Sequence, residues 1–369
     1  MPVSGWTHNF YRYPARFSPK FAATAIELFS KSGEIVLDPY MGGGTAIVEG
    51  MVAGRHMVGN DLNTLGAFIA KVKVTGLNQG DARAVKSWAT HKVPRFSYWM
   101  PGEELAEFID PVKTKNLGMA KARFIKKALA AALATIADLP SWRARNFARC
   151  AVLRVGQWAL DGRESHTKLA DFRDRLGVTT KEMLTALARV MKEKKKSSGR
   201  ATILQGDAVE LGKAKIFAED KKLAALVVTS PPYPGVHVLY HRWQVDGRRE
   251  TPAPYWITGC NDGQGGSFYN FGDRRESAAD KYFAKSLATL KAIRAVVKDG
   301  GHMIQMVAFN RPAEHLPRYL ENMEQAGFAE VTVGSGNRIW RQVPGRKWHA
   351  RQKGKTNGSK EVVLVHRAV

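Results

Sequence analysis

Short apolar runs and segments of helical periodicity alternate at both ends of this chain. In residues 35–62 the pattern predicts a strand (IVLD), a glycine-rich turn (PYMGGGT), a helix (AIVEGMVAG) and a second strand (HMVGND). From residue 201 onward it predicts strands in ATILQGDA, LAALVVTSPPY and GGHMIQMVAF, helices in 277–297 and RYLENMEQAGF, and a terminal strand pair in AEVTVG and KEVVLVHR. Strands that alternate with helices favour an α/β fold with a doubly wound, mainly parallel sheet.

The segment from 64 to 200 departs from this alternation. Its pattern is mainly helical, and it carries 27 basic and 12 acidic residues. We therefore predict a core in two parts, 1–63 and 201–369, interrupted by a basic helical insertion at 64–200. Within the second part, 236–276 mixes arginines, aromatics and glycines, which indicates a substrate loop. An ordinary loop around a buried aromatic cluster is the alternative.

Charge is the strongest feature of the composition. The 369 residues carry a net charge of +24, with a sequence pI of about 10.1. A polyanionic partner follows, of which nucleic acid is the commonest, while an anionic lipid surface or a merely basic protein are the alternatives. Cys150 and Cys260 lie far apart in sequence, which favours a reducing, cytoplasmic location over a disulfide framework or a metal site. No apolar run of 18 residues predicts a membrane span.

The first motif with chemical meaning is LDPYMGGGT, Leu37–Thr45, followed by VGNDLN, Val58–Asn63. Glycines after a first strand let a ligand approach the backbone closely, and an acidic residue at the end of the second strand suits ribose hydroxyls. The motif is neither GxGxxG nor a phosphate-binding P-loop. A ligand with a ribose and no phosphate, such as S-adenosylmethionine, fits it better, although a tight structural turn would also use these glycines.

The second motif is the turn SPPY, Ser230–Tyr233, directly after an apolar run. Each proline fixes its own φ and restricts the preceding residue, so the turn is stiff. In an open parallel sheet, ligands bind beyond the carboxyl ends of the strands, where this turn is predicted to lie. Taken alone, it could equally be a proline-rich loop. A third motif, YPARFSP at 13–19, precedes the glycine motif.

Together, these motifs resemble those of the S-adenosylmethionine-dependent amino-methyltransferases of DNA. That family carries a DPFxGxGT-like loop and a (D/N/S)PP(Y/F/W) turn, which read DPYMGGGT at Asp38–Thr45 and SPPY at Ser230–Tyr233 here. The resemblance covers about 1–63 and 200–369, in the order extra motif, glycine loop, catalytic turn. It implies a Rossmann-like methyltransferase sheet. The basic charge of the insertion makes that segment a candidate for DNA binding or target recognition.

The resemblance also implies a pocket for S-adenosyl-L-methionine. Its acidic residues would have separate roles: Asp38 would hold the methionine end, Asp61 the ribose and Asp207 the adenine amine. Asp38 as a helix cap and Asp207 as a turn residue are the structural alternatives. Arg16 and Thr45 would lie near the cofactor carboxylate, and Leu62 on adenine. The complete predicted set is Arg16, Phe17, Asp38, Tyr40, Gly42, Gly44, Thr45, Asp61, Leu62 and Asp207.

For catalysis, the resemblance implies the four residues of the SPPY turn. The Ser230 hydroxyl and the Pro231 carbonyl would accept hydrogen bonds from a target amine, and Pro231 and Pro232 would hold that carbonyl in direction. Tyr233 would stack on a base that has been flipped out of the duplex. Because an amine conjugated to a base ring is a poor nucleophile, orienting it is the main task of such a site.

The choice of target follows from the same turn. Cytosine C5 methylation needs a cysteine nucleophile, and neither cysteine follows a proline in such a turn. Serine at the first position is associated in the family with cytosine N4, and aspartate or asparagine with adenine N6. Cytosine N4 in duplex DNA is therefore the predicted target, as in restriction-modification, with no metal. Adenine N6, a base amine in RNA, and a non-catalytic nucleic-acid-binding role remain alternatives, and the oligomeric state is open.

Overall fold

The described residues of the computed structural model form ten strands and twelve α-helices. The structure describes all residues except 1–3, 15, 17, 98–101, 120–121, 164, 234–241, 246, 248, 262–270, 272–278, 310, 333–335, 337 and 343–359. The strands are β1 Ile35–Asp38, β2 His56–Asp61, β3 Arg200–Gln205, β4 Ala224–Thr229, β5 Trp243–Val245, β6 Arg249–Thr251, β7 Val297–Ala308, β8 Phe328–Glu330, β9 Ile339–Gln342 and β10 Lys360–Ala368. The helices are α1 Pro19–Phe29, α2 Thr45–Val52, α3 Thr64–Val74, α4 Gln79–Ser87, α5 Gly102–Ala106, α6 Arg123–Ala137, α7 Trp142–Leu160, α8 Leu169–Ser197, α9 Lys215–Ala218, α10 Ala253–Thr258, α11 Ala279–Arg294 and α12 Pro312–Gln325.

Eight of the strands form one sheet in the order β3-β2-β1-β4-β7-β10-β8, and β9 also pairs with β10. The strands from β3 to β7 in this order are parallel to one another, whereas β10 is antiparallel to β7, β8 and β9. All residues of β1 and β4 are buried, as expected for central strands with flanking helices. The predicted α/β fold with a mainly parallel sheet is confirmed.

The end of the chain differs in detail from the predicted terminal pair. β8 and β10 do pair antiparallel, with Glu330 opposite His366. They do not form a simple hairpin, because β10 lies between β7 and β8 and also pairs with β9. Alternating apolar residues indicate that a strand exists, but its neighbours are chosen by packing over the whole sheet.

The chain divides into two compact units, each described here by itself. Unit 1 comprises Met1–Arg16, Asn63–Lys196 and Leu239–Gly263. Unit 2 comprises Phe17–Leu62, Ser197–Val238 and Gln264–Val369, and contains the eight-stranded sheet. The chain changes from one unit to the other at residues 62/63 and 196/197, close to the ends of the helical segment. Residues 1–16 and 239–263, which were assigned to the core from sequence, belong instead to the unit that contains the insertion.

Packing explains why those two segments join the helices of unit 1. Phe10 packs edge-to-face against Phe147 of α7, with ring centroids 5.8 Å apart. Trp243 of β5 is fully buried and donates from Nε1 to the Tyr11 hydroxyl at 2.8 Å. Such long-range aromatic contacts leave no periodic signal in the sequence. Of the helices in the described ranges, none has the length and apolarity needed to cross a membrane.

Candidate active site

The glycine motif forms a tight turn between β1 and α2. Gly42 and Gly44 have φ values of 50° and 73°, in the left-handed region that favours glycine, and Gly44 is the N-cap of α2. The Met41 amide donates to the Asn60 carbonyl at 3.0 Å, and the Gly44 amide donates to the Met41 carbonyl at 2.7 Å. The turn is therefore fastened to the end of the neighbouring strand β2.

Asp38, the last residue of β1, is buried with 1% of its surface exposed. Its Oδ1 accepts hydrogen bonds from the Thr229 hydroxyl at 2.7 Å and from the Tyr40 amide at 3.2 Å. Its Oδ2 is buried and has no hydrogen-bond partner among the described residues. Burial raises the pKa of Asp38 to about 7, and the charge of Asp61 contributes to the rise. A cationic group that reached Oδ2 would satisfy this carboxylate.

Asp61, at the end of β2, accepts from the Gly42 amide at 2.7 Å through Oδ2. It thus holds the glycine turn in place as well as standing where ribose hydroxyls are expected. The Gly206 amide donates to the Asp61 carbonyl at 3.0 Å, which links the end of β2 to the end of β3. Leu62 follows and is half-buried. The binding of ribose by Asp61 and of adenine by Leu62 stays a prediction.

Asp207 follows β3 and caps a short helical turn, since its Oδ1 accepts from the Val209 amide at 3.1 Å. Its Oδ2 forms a salt bridge with Lys285 Nζ at 2.5 Å, and both side chains are about one third exposed, 36% and 38%. Asp207 therefore has the capping role that is the structural alternative to binding the adenine amine. An adenine amine would have to share this carboxylate with Lys285, a partner that the sequence did not indicate.

The SPPY turn follows β4 and is held by three hydrogen bonds. The Ser230 and Tyr233 hydroxyls lie 2.9 Å apart, and the Tyr233 hydroxyl donates to Glu361 Oε1 at 3.3 Å. The Tyr282 hydroxyl donates to the Pro232 carbonyl at 2.8 Å. No described residue donates to the Pro231 carbonyl, the oxygen that the sequence assigned to the target amine.

The decisive contact in unit 2 joins the two motifs. Thr229 precedes the SPPY turn directly, and its hydroxyl donates to Asp38, which begins the glycine turn. β1 and β4 are also adjacent and parallel, with Leu37 opposite Val227. The two motifs, 191 residues apart along the chain, therefore meet at the carboxyl edge of one sheet.

The remaining predicted residues have different positions. Thr45 is buried at the first position of α2. The Tyr40 ring points into unit 2, where it meets Phe271 with ring centroids 5.8 Å apart. Arg16 belongs to unit 1 and donates to the His8 and Tyr11 carbonyls at 3.2 and 3.0 Å. Phe17 lies outside the described residues, so that prediction has no structural counterpart.

Sequence reasoning missed several residues that hold this site together. Four of them donate to or accept from predicted residues, and the Asn60 carbonyl accepts from the Met41 amide of the glycine turn. They are Thr229, Lys285, Tyr282, Glu361 and Asn60. Thr229 and Asn60 could have been found as polar residues at the ends of buried strands. The other three come from α11 and β10, and no local pattern marks them.

Comparisons with known proteins match part of the chain, including the glycine motif. A family model described as DNA methylase matches residues 2–67. The chain is 40% identical over 72 residues to the Type II methyltransferase M.MvaI of Kocuria varians, and 25% identical over 108 residues to M.MjaII of Methanocaldococcus jannaschii. These stretches cover 19% and 29% of this chain. The chain is thus similar, over residues 2–67, to DNA methylases, and in part to these two methyltransferases.

The extent of this relationship to the DNA amino-methyltransferases is limited. The chain spans 16% and 20% of the lengths of these two curated relatives. Among solved structures, the rRNA methyltransferase aviRa of Streptomyces viridochromogenes aligns with 97% of this chain and 89% of its own, at 9% identity and a TM-score of 0.36. That similarity is too low to carry an argument. The family match ends at residue 67 and therefore does not include the SPPY turn. The hydrogen bond between Thr229 and Asp38 connects this turn to the matched region.

The cofactor of this family, S-adenosylmethionine, fits the residues present. The orphaned Oδ2 of Asp38 is a buried anionic atom that lacks a cationic partner in the described part of the chain, and the cofactor carries an ammonium group on its methionine end. The left-handed glycine turn lets a ligand approach the backbone. Across the described residues, no group of three or more His, Cys, Asp or Glu side chains is arranged to hold a metal ion.

Proposed function

We propose that this protein methylates an exocyclic base amine in DNA, with cytosine N4 as the target. The hydrogen bond of 2.7 Å between Thr229 and Asp38 is the observation that carries the proposal. It brings the cofactor-type glycine turn and the SPPY turn to one edge of the sheet. The serine at the first position of the turn, Ser230, favours cytosine N4 over adenine N6.

The chain's own residues would act mainly by positioning the amine. S-adenosylmethionine, when bound, supplies an electrophilic methyl group. The Ser230 hydroxyl and the Pro231 carbonyl would accept from the two N–H bonds of the amine, which turns its lone pair out of the plane of the base. The prolines restrict the backbone of the turn. The Pro232 carbonyl accepts from the Tyr282 hydroxyl and so is not the oxygen that accepts from the amine. Such orientation supplies up to roughly 7–11 kcal/mol in ideal cases.

Tyr233 has two separable roles in this proposal. Its ring would stack on the flipped base, while its hydroxyl holds the Ser230 hydroxyl at 2.9 Å. Tyr233→Phe should lower kcat about tenfold because Ser230 loses its partner, and Tyr233→Ala should lower it further because the stacking surface is lost. Steady-state kinetics on duplex DNA would measure both. Equal effects of the two changes would show that the ring contributes nothing.

Mass spectrometry of nucleosides tests the function itself. DNA and RNA would each be incubated with the protein and with cofactor that carries a labelled methyl group, then digested. We expect labelled N4-methylcytosine from DNA, and a loss of about 100-fold in rate with Ser230→Ala at unchanged cofactor affinity. Labelled N6-methyladenine would replace the cytosine assignment, and label in RNA alone would contradict the DNA substrate. No label in either polymer would support the non-catalytic alternative.

A further inference from the structure

Unit 1 contains a cavity of about 680 Å³ that is lined by four arginines. Arg12 and Arg16 come from the N-terminal segment, Arg154 from α7 and Arg175 from α8. The lining also includes Trp6 and Phe10, and Glu182 is its one carboxylate among the described residues. None of the four arginines forms a salt bridge with any described residue. We refer to this feature as the arginine cavity.

Hydrogen bonds hold two of these guanidinium groups in place without using all their donors. Arg154 Nε donates to the Asn9 carbonyl at 3.0 Å, and Arg16 Nη1 donates to the carbonyls of His8 and Tyr11. A guanidinium has five N–H donors, so most of them stay available. Arg175 lies over the Trp158 ring, 4.6 Å from its centroid. This arrangement orients the side chains before any ligand arrives.

The electrostatics of the arginine cavity are unfavourable without a ligand. Burial, together with the charges of Arg154 and Arg12, lowers the pKa of Arg16 to about 10. Burial likewise lowers the pKa of Arg154, with Arg12 and Arg175 adding to it. Like charges held this close repel one another, and an anion between them would relieve the repulsion. The cavity is therefore built for a negatively charged group.

The surroundings indicate which anion fits. Unit 1 holds 31 of the 57 Lys and Arg residues and 15 of the 33 Asp and Glu residues, a net charge of +16. A volume of about 680 Å³ lies within the range of roughly 300–1,000 Å³ for ligand pockets and exceeds what a small inorganic ion needs. Guanidinium forks match the geometry of phosphate oxygens, and the half-buried Trp6 ring can lie against a sugar or base.

We propose that the arginine cavity binds a phosphodiester group of the DNA substrate. The identity of the polymer rests on the proposed function, whereas the preference for a phosphodiester rests on the cavity itself. The contact would set the position of the strand and not read its sequence, because phosphate contacts carry no base information.

The test removes the two exposed arginines and keeps Arg16 and Arg154, whose side chains donate to main-chain carbonyls. Arg12 can change without loss of its main-chain bonds to Gln157, both at 3.1 Å, and Arg175 lies on the exposed face of α8. The variant Arg12→Gln/Arg175→Gln would be titrated with duplex DNA by fluorescence anisotropy over a series of salt concentrations, at saturating cofactor. We expect about a tenfold loss of affinity, and a salt slope that falls by about 0.9 for each phosphate contact removed.

A matched control separates a built site from net charge. Arg83→Gln/Arg95→Gln removes the same two charges from exposed positions of unit 1 that do not line the cavity. We expect this control to keep most of the affinity and the slope. Equal losses in both double variants would overturn the proposal, because charge alone would then explain the binding. Weaker cofactor binding with unchanged DNA binding in the cavity variant would also overturn it.

Two further readouts distinguish this inference from the proposed function. If the wild-type protein methylates no nucleoside but the cavity variant binds DNA more weakly than the matched control, the proposed function fails while the cavity assignment stands. If DNA is methylated with an unchanged KM in the cavity variant, the assignment fails while the function stands. A larger effect on single-stranded RNA than on duplex DNA would assign the cavity to RNA and contradict the proposal.

Discussion

The two units differ in the sign of the charged side chains that lack an ionic partner: a buried carboxylate in unit 2, and half-buried or exposed arginines in unit 1. In unit 2, Asp38 is a buried carboxylate whose Oδ2 lacks a partner among the residues that the structure describes. In unit 1, Arg16 and Arg154 line a cavity with two further arginines and no salt bridge to a described residue. Isolated buried charge is costly unless it is paired. This difference is the basis for proposing a cationic ligand for unit 2 and an anionic ligand for unit 1.

The two units also differ in net charge. Unit 1 carries +16 over 175 residues, and unit 2 carries +8 over 194 residues, with 26 basic and 18 acidic residues. A polyanion is attracted more strongly to the first unit. In the second unit, three carboxylates lie at strand ends: Asp38 and Asp61 are the last residues of β1 and β2, and Asp207 follows β3.

The largest effect in this comparison is expected from Asp38→Asn. The change keeps the shape of the side chain and removes the buried charge that would pair with the cofactor ammonium. Loss of one partner of a buried charge pair costs about 2 kcal/mol or more, so calorimetry should show cofactor affinity reduced at least roughly 30-fold.

Asp280→Asn is the matched control for that change, because Asp280 is an exposed carboxylate of unit 2 on α11, paired with Arg318 at 2.7 Å. Its loss should leave cofactor affinity within about twofold. If Asp38→Asn behaved like this control, the cofactor ammonium would have to bind elsewhere, and the contrast between the units would disappear.

The next effect concerns pH. Because burial raises the pKa of Asp38 to about 7, the free protein holds a proton on Asp38 below that pH. A cation binds the ionised form, so cofactor affinity should rise as pH increases from 5.5 to 7.5, by up to about tenfold per pH unit. Calorimetry in buffers of different ionisation heat should detect about one proton released on binding at pH 6.

The raised pKa of Asp38 also makes the free protein less stable as pH increases. The stabilising contribution of protonated Asp38 is fully present below the ordinary pKa of an aspartate and is lost as pH rises through about 7, because the folded state disfavours the ionised form. The Asp38→Asn variant should lack both pH dependences. A pH-independent cofactor affinity in the wild-type protein would contradict the assignment of Asp38.

The smallest effect is expected from the salt bridge between Asp207 and Lys285. Both side chains are about one third exposed, so Lys285→Met should change the free energy of unfolding by no more than about 1 kcal/mol. If Asp207 accepts from the adenine amine, Asp207→Asn should weaken cofactor binding more than Lys285→Met does. Compared with S-adenosylmethionine, an analogue without that amine should bind the wild-type protein more weakly but should bind Asp207→Asn equally well. An equal loss of affinity in both proteins would leave Asp207 as a capping residue.

Local sequence patterns were enough to predict β1, β2, the glycine turn and the polar residues at the ends of these strands. The predicted strands at 35–38 and 56–61 match β1 and β2 because fully buried strands are written as short apolar runs. The glycines at 42 and 44 were identifiable because only glycine readily adopts a positive φ in such a turn. Asp38 and Thr229, the last residues of β1 and β4, meet at one edge of the sheet because the carboxyl ends of parallel strands lie together.

Only the tertiary structure decided the partners of those residues. Asp38 receives a hydrogen bond from Thr229, 191 residues later, and Asp207 is paired with Lys285 from α11. The arginine cavity joins residues 12 and 16 to residues 154 and 175, which no local pattern connects. The physical reason is that periodicity records which side of an element is buried, whereas hydrogen bonds and clustered charges depend on which elements pack together.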